Sequence, residues 1–188
     1  MLPENRRMRL SVAAKLALSI FIVSAFFWFG GAFTRAFVGN EMFVMETLSI
    51  RTDLPAAVEQ EMFFLLAWSS IAVLVWYTAT LIFGTLFLVF SKLRFKEHGW
   101  LLMSAILFYF FVPVEVYTAL VDIKFIGAVF SGSPLATCRE LFVKHLTSLL
   151  GAPILAVFCY FTIIILAVWQ PLKRAAITPD AAVAEVKP

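Results

Sequence analysis

Four long apolar runs constrain the fold of this chain more than any other feature. A helix needs about 20 mainly apolar residues to cross about 30 Å of hydrocarbon at about 1.5 Å per residue. The runs predict four such helices, spans one to four, at about 15–36, 61–91, 99–121 and 146–170. Hydrophobic residues fill 62% of the 188 positions, more than is typical of a soluble domain. We therefore expect an all-α polytopic integral membrane protein with a single four-helix transmembrane domain over residues 1–170.

The connections between the spans predict their arrangement. The turn at 91–99 is so short that spans two and three must be adjacent and antiparallel. Longer outer segments join spans one and two and spans three and four, so we expect two hairpins. Residues 125–130 are apolar but too few to span. Ser133 and Pro134 predict the start of a short amphipathic helix that lies in the membrane interface and runs into span four.

The positions of Lys and Arg predict the orientation. Ten of the fifteen basic residues fall in the N-terminal segment, the 91–99 turn and the C-terminal tail. By the positive-inside rule both termini are cytoplasmic, and the 39–61 and 122–145 segments lie outside. We expect a plasma membrane location, with a bacterial inner membrane favoured, and a disordered cytoplasmic tail at 171–188. The basic residues flank apolar runs, so the lipid bilayer is an expected partner and nucleic acid is not.

Glu115 is the most informative single residue. A carboxylate inside a span costs a few kcal/mol at the bilayer centre, so it usually serves a partner or a function. Pro113, two residues earlier, removes a backbone donor and opens the helix beside the acid. In a structural interpretation, Glu115 reaches interfacial water or pairs with Arg35 at the end of span one. In a functional interpretation, Glu115 carries a proton or a cation.

Asp122 and His145 complete the candidate set. Asp122 follows Glu115 by seven residues, so the two acids share one helix face, where they either guide a cation or mark a solvated helix end. His145 is a candidate pH sensor or metal ligand with an acidic partner. His98 and His145 lie on opposite sides of the membrane in this topology, which excludes a haem held by both within one chain. We expect no cofactor and no metal.

The common catalytic patterns are missing from the sequence. It has no zinc-binding HExxH helix, no GxSxG elbow, no CxxC pair and no phosphate-binding glycine loop, so we do not expect an enzyme. The 21 Phe residues give large surfaces for lipid or partner proteins. The leading hypothesis is an accessory, assembly or scaffold subunit that binds other membrane proteins or itself. The alternative is an oligomeric proton- or cation-coupled transporter or channel that uses the membrane carboxylate Glu115.

Overall fold

The computed structural model describes residues 10–44, 49–51, 53–147, 149 and 151–172, and the regular elements within them are six helices and one pair of two-residue strands. In chain order the elements are α1 (Val12–Asn40), β1 (Phe43–Val44), β2 (Ser49–Ile50), α2 (Ala56–Ser91), α3 (Gly99–Phe110), α4 (Val112–Phe130), α5 (Leu135–Thr147) and α6 (Ala152–Trp169). Four helical stretches are long and apolar enough to cross a membrane: α1, α2, the stretch Gly99–Phe130 and α6. The prediction of an all-helical chain with four helices long and apolar enough to span a membrane is confirmed for the described residues.

Contacts group the chain into two compact units. The first contains α1, both strands, α2, almost all of α4, and α5. The second contains α3 and almost all of α6. Each unit is held by antiparallel helices.

In the first unit, α1 and α2 pack against each other in opposite directions. Ser11 Oγ at the start of α1 donates to the carbonyl of Phe90 near the end of α2, at 3.3 Å. Near the middle of both helices, Thr80 Oγ1 lies 3.1 Å from Ser24 Oγ. Small hydroxyl side chains at such a contact let two backbones approach closely and satisfy each other in an apolar interior. The 29 and 36 residues of these helices would extend about 43 and 54 Å, so each must tilt or project beyond the hydrocarbon.

A short β-hairpin follows α1. Phe43 of β1 lies opposite Ile50 of β2, and the strands run antiparallel. The backbone N–H of Arg51 donates to the carbonyl of Met42 at 2.8 Å, which extends the pairing by one hydrogen bond. The Met42 side chain is fully buried, so the hairpin packs against the helices of this unit.

The third candidate span is longer than predicted and is interrupted inside. Its helix continues past residue 121 to Phe130, so Asp122 and the 125–130 run belong to α4 and not to an outer loop. In the sequence, the charges of Asp122 and Lys124 suggest the end of a helix. A helix can nevertheless continue through a charged residue whose side chain has a buried partner of opposite charge. The interruption is at Phe111. Pro113 is therefore in the first turn of α4, where a missing N–H removes no helical hydrogen bond.

The predicted continuation of α5 into span four is wrong. α5 ends at Thr147, and α6 begins at Ala152 instead of at 146. Gly151 lies between them at φ +84°, a left-handed conformation that glycine adopts without a Cβ clash. Gly151 therefore interrupts the helical run between Thr147 and Ala152.

In the second unit, α3 contacts α6. Tyr160 is buried, and its ring centroid lies 6.1 Å from Phe108 and 6.2 Å from Phe111. A Cβ at Gly99 would lie 2.9 Å from the Cβ of Leu172, so the start of α3 meets the chain just after α6. The two helices are therefore antiparallel. Of the predicted tail at 171–188, all but the first two residues lie outside the described part of the chain.

Candidate functional site

Arg35 and Asp122 form a buried ion pair between α1 and α4. Arg35 Nη1 donates to Asp122 Oδ2, and Nη2 donates to Oδ1, both at 2.6 Å. The two side chains are only 8% and 4% exposed. The planar guanidinium matches the two carboxylate oxygens, so the pair is bidentate and charge-assisted. Asp122 is therefore not the solvated helix end that the sequence suggests, and it is Asp122, not Glu115, that forms the bidentate pair with Arg35.

His145 of α5 joins this pair. Its Nδ1 lies 2.8 Å from Asp122 Oδ1, and the side chain is 18% exposed. Nδ1 forms no hydrogen bond of normal geometry within the described residues, so the imidazole and the carboxylate are in close contact without a well-oriented hydrogen bond. Three of the sequence-predicted candidates, Arg35, Asp122 and His145, are thus brought together from three helices.

A second ion pair joins α2 to α5. Arg139 Nη2 donates to Glu59 Oε2 at 2.5 Å, and Arg139 Nε donates to Glu59 Oε1. The Glu59 side chain is 1% exposed, whereas that of Arg139 is 37% exposed. The acid is therefore inside the unit, and the guanidinium reaches it from the surface.

Phe142 lies between the two ion pairs along α5. Its ring centroid is 5.9 Å from Phe43, 6.1 Å from Phe63 and 6.0 Å from Phe125. The side chain is 2% exposed and belongs to an apolar cluster completed by Met42, Phe63, Leu66, Ala67, Phe125 and Cys138. Arg139, Phe142 and His145 recur at three-residue spacing, on one side of α5. One apolar contact and two charged contacts therefore fix α5 to the helices beside it.

The buried charges balance one another. Within the described ranges, the buried charged side chains are Arg35, Glu59 and Asp122, and each has a partner of opposite sign. Removing an ion from water costs several kcal/mol, which only a close, well-oriented partner offsets. Both carboxylates are engaged by guanidinium groups through two oxygens each. The arrangement can hold the helices in a fixed position. A cation that approached either carboxylate would find its charge already neutralised by an arginine.

The charge of Glu59 in α2 affects two titrating groups of α5. Burial raises the pKa of the Cys138 thiol, and the negative charge of Glu59 adds to the shift. The hydrogen bond to Glu59 raises the pKa of Arg139. At neutral pH the thiol therefore stays protonated and the guanidinium stays charged. Across the part of the chain that the structure describes, no group of three or more His, Cys, Asp and Glu side chains could hold a metal ion.

Pro113 and Glu115 both lie in the first turn of α4. Glu115 is half-buried and precedes Asp122 by two helical turns, about 10 Å along the axis. An acid in a first turn faces the positive end of the helix dipole and stabilises the start of the helix. This role is invisible in the sequence if span three is taken as one unbroken helix.

Glu59 and Arg139 are the site residues that sequence reasoning misses. Local sequence places Glu59 among several acids at the start of a span and Arg139 on the polar side of an amphipathic helix. The available signal is helix phase: Glu59, Phe63 and Leu66 follow one another at helical spacing on one side of α2, and all three are buried. An acid in phase with a buried apolar stripe predicts a buried partner. The sequence does not indicate that the partner is 80 residues away.

No protein-family model, curated protein or solved structure matches this chain. Its function is therefore inferred from the arrangement of the side chains alone.

Proposed function

We propose that this membrane protein is an accessory, assembly or scaffold subunit that binds other membrane proteins, or further copies of itself, through its helices. The observation that carries the proposal is the mutual neutralisation of the buried charges, Arg35 with Asp122 and Glu59 with Arg139. An ion path needs polar groups that face a water-filled cavity or a relay. Here each buried carboxylate is paired with a guanidinium group through two oxygens, which supports a structural role for these charges instead.

The outward side of α1 supports a helix as the partner. Phe26, Phe33 and Phe37 are 73%, 43% and 73% exposed, and together with Gly30 they recur at helical spacing on one side of α1. We call these four residues the α1 outer stripe. A Cβ at Gly30 would meet nothing within 4 Å. A small residue between exposed aromatic side chains lets a second helix approach closely in a membrane.

Native mass measurement after gentle extraction in detergent tests the proposal. We expect an oligomer or a co-purifying membrane protein, and a photo-crosslinking side chain at Phe33 should capture the same partner in intact membranes. Gly30→Leu fills the stripe and should weaken the association. Gly127→Leu is the matched control, because a Cβ at Gly127 in α4 also meets nothing within 4 Å.

Two results would contradict this function. One is a strictly monomeric particle with no bound protein, together with no crosslink in the membrane. The other is an association that both leucine variants weaken equally, because the α1 outer stripe would then have no special part in it.

The same proposal includes a finer placement in the membrane. The four candidate spans form two hairpins, both termini face the cytoplasm, and α5 lies in the outer interface. The concentration of basic residues at the termini and the 91–99 turn supports this orientation. A bacterial inner membrane is the location that we favour.

Transport through an oligomer is the second candidate function. The observation that favours it is the half-buried carboxylate of Glu115 at the point where the third candidate span resumes after Phe111. In vesicles reconstituted with the protein, a proton or cation flux that Glu115→Gln abolishes would support this mechanism. Glu97→Gln, in the turn before α3, is the control. A flux that Glu115→Gln leaves unchanged would remove Glu115 from the mechanism.

A further inference from the structure

Three exposed aromatic side chains pack against one another where α2 meets the end of α4. Phe64, Trp68 and Phe130 are 42%, 54% and 46% exposed. The ring centroid of Phe130 lies 5.5 Å from that of Phe64 and 5.5 Å from that of Trp68, and all three pairs are edge-to-face. We call these three residues the aromatic trio. The rings hold one another in place, and each keeps a large part of its surface exposed.

The exposed face of α2 changes in polarity along the helix. Exposed residues recur at seven-residue steps, and each step is about 10 Å along the axis. In chain order they are Glu61, Trp68, Val75, Ile82 and Val89. The face thus passes from an acid to an indole and then to three aliphatic side chains. From Trp68 to Val89 the helix rises about 31 Å, which matches the thickness of the hydrocarbon, about 30 Å.

The pairing of α1 with α2 gives the same boundary. A Cβ at Gly31 would lie 3.2 Å from the Val73 side chain. Because the two helices run in opposite directions, Arg35 lies at about the level of Trp68. α1 has no charged residue between Lys15 and Arg35, and this stretch also rises about 30 Å. Two adjacent helices therefore place one edge of the hydrocarbon at the level of Trp68.

Exposed charges begin beyond that edge. Glu61 is exposed about one turn before Phe64 on α2. Lys124 is exposed on α4 next to Phe125, whose ring centroid lies 5.8 Å from that of Phe63. A charged side chain among acyl chains costs a few kcal/mol, so neither charge belongs there. The end of α2 that carries Glu61 therefore extends out of the hydrocarbon, and the aromatic trio lies at the transition.

We propose that the aromatic trio binds the headgroup and carbonyl zone of the leaflet in whose interface we place α5, and so fixes the depth of α2 and α4 in the membrane. This zone is about 5–8 Å thick. Phe64 lies about 6 Å beyond Trp68 along α2, so both rings fit within it. Tryptophan is enriched in this zone, because its ring is apolar and its N–H is polar. The partner is the lipid surface itself, and the inference rests on α1 and α2 crossing the membrane, not on the protein partner proposed above.

Fluorescence quenching in phosphatidylcholine vesicles tests the depth of Trp68. The lipids carry bromine either near the carbonyl end or near the methyl end of the acyl chain. The difference between the natural chain and Trp68→Phe isolates the emission of Trp68, which we expect the carbonyl-end bromines to quench more strongly. Trp76→Phe is the matched control, because Trp76 lies about 12 Å deeper along α2. Its emission should be quenched more strongly by the methyl-end bromines.

Two results of this measurement would overturn the proposal. Stronger quenching of Trp68 by the methyl-end bromines would place the aromatic trio among the acyl chains. No quenching of Trp68 by either lipid would mean that a protein surface, such as that of a second copy of this chain, covers the trio.

Cysteine labelling tests the anchoring role. In a chain that carries Cys138→Ala and Cys159→Ala, Glu61→Cys should react with a maleimide that cannot enter the hydrocarbon, and Val75→Cys should not. Leucine prefers the hydrocarbon, so replacing the whole aromatic trio by leucine should draw this face inward and slow the labelling of Glu61→Cys severalfold. An unchanged rate would overturn the anchoring role, and so would labelling of Val75→Cys as fast as that of Glu61→Cys. If the leucine variant fails to fold, the quenching of Trp68 decides the result.

Discussion

The ring of Phe142 occupies the space that a side chain at position 39 would need. A Cβ at Gly39 would lie 2.8 Å from Phe142 Cζ, which is closer than normal van der Waals contact. The ring cannot move aside freely, because Phe43, Phe63 and Phe125 surround it. The last turn of α1 and the middle of α5 therefore depend on a glycine to meet.

Gly39→Ala should destabilise the protein by about 1–3 kcal/mol, the usual cost of overpacking a filled core. Gly30→Ala is the matched control: it makes the same change in the same helix where a Cβ meets nothing within 4 Å. It should be neutral or stabilising by up to about 1 kcal/mol from helix propensity. Unfolding in detergent by heat or denaturant measures both. Equal stability of the two variants would show that the Phe142 ring is not fixed.

Asp122→Asn should cost about 3–5 kcal/mol of unfolding free energy, because it leaves Arg35 buried without its charge partner. Replacing both residues by apolar ones, Arg35→Met with Asp122→Leu, should cost much less than the single change. The same unfolding measurement compares them. A double variant that is less stable than the single one would mean that the pair contributes more than charge compensation.

Glu59→Gln should loosen α5 with a smaller effect on α1 and α2. The substitution keeps the size of the side chain but removes the charge that holds Arg139. We expect faster amide hydrogen exchange in residues 135–147, measured by mass spectrometry. Asp53→Asn breaks the exposed pair with Arg51 and should leave this exchange unchanged. Unchanged exchange in Glu59→Gln would show that the apolar contacts alone hold α5.

We expect the Cys138 thiol to lower the free energy of unfolding at alkaline pH. Its folded pKa is raised from the ordinary value of 9.0, so the unfolded chain loses this proton at lower pH than the folded one does. The thiol's contribution to stability is present below the unfolded pKa and is lost as pH rises through the folded pKa. Unfolding of the natural chain should therefore become easier above about pH 9, whereas Cys138→Ala should lack this part of the pH dependence. Parallel profiles for the two proteins would contradict the prediction.

Reporter fusions test the orientation. Fusions at Asp53 and Ser133 should report outside, and fusions at Lys96 and Pro188 should report inside, because basic residues concentrate at the termini and the 91–99 turn. A fusion at Pro188 that reports outside would mean that one helical stretch does not cross. The assignment of α5 to the outer interface would then fail with it.

The helical class could be predicted because the thickness of the hydrocarbon requires about 20 mainly apolar residues in each span, and a run of that length is visible in the sequence. The ends of the helices could not be predicted, because they depend on side-chain partners far away in the sequence and on the backbone conformation of single residues. α4 continues through Asp122 since Arg35 neutralises that carboxylate. α5 and α6 separate at Gly151, whose left-handed backbone is a property of one residue and has no signal in an average over an apolar run.

Three members of the candidate site could be predicted from the sequence, but their pairing could not. Arg35, Asp122 and His145 stand out because they are ionisable groups beside apolar runs. Which carboxylate Arg35 meets depends on where α4 lies against α1, and two turns of α4 separate Glu115 from Asp122. Glu59 and Arg139 give an even weaker signal, since each occurs in a stretch that already contains other charges.

The two ion pairs also set an order of events during synthesis. Arg35 precedes Asp122 by 87 residues, and Glu59 precedes Arg139 by 80. At a ribosome speed of about 5–20 residues per second, roughly 4–17 s pass between the synthesis of Arg35 or Glu59 and the synthesis of its partner. During that time an arginine and a glutamate at the ends of two apolar helices have neither partner. The N-terminal half therefore keeps these two charges without their partners until α5 has been synthesised.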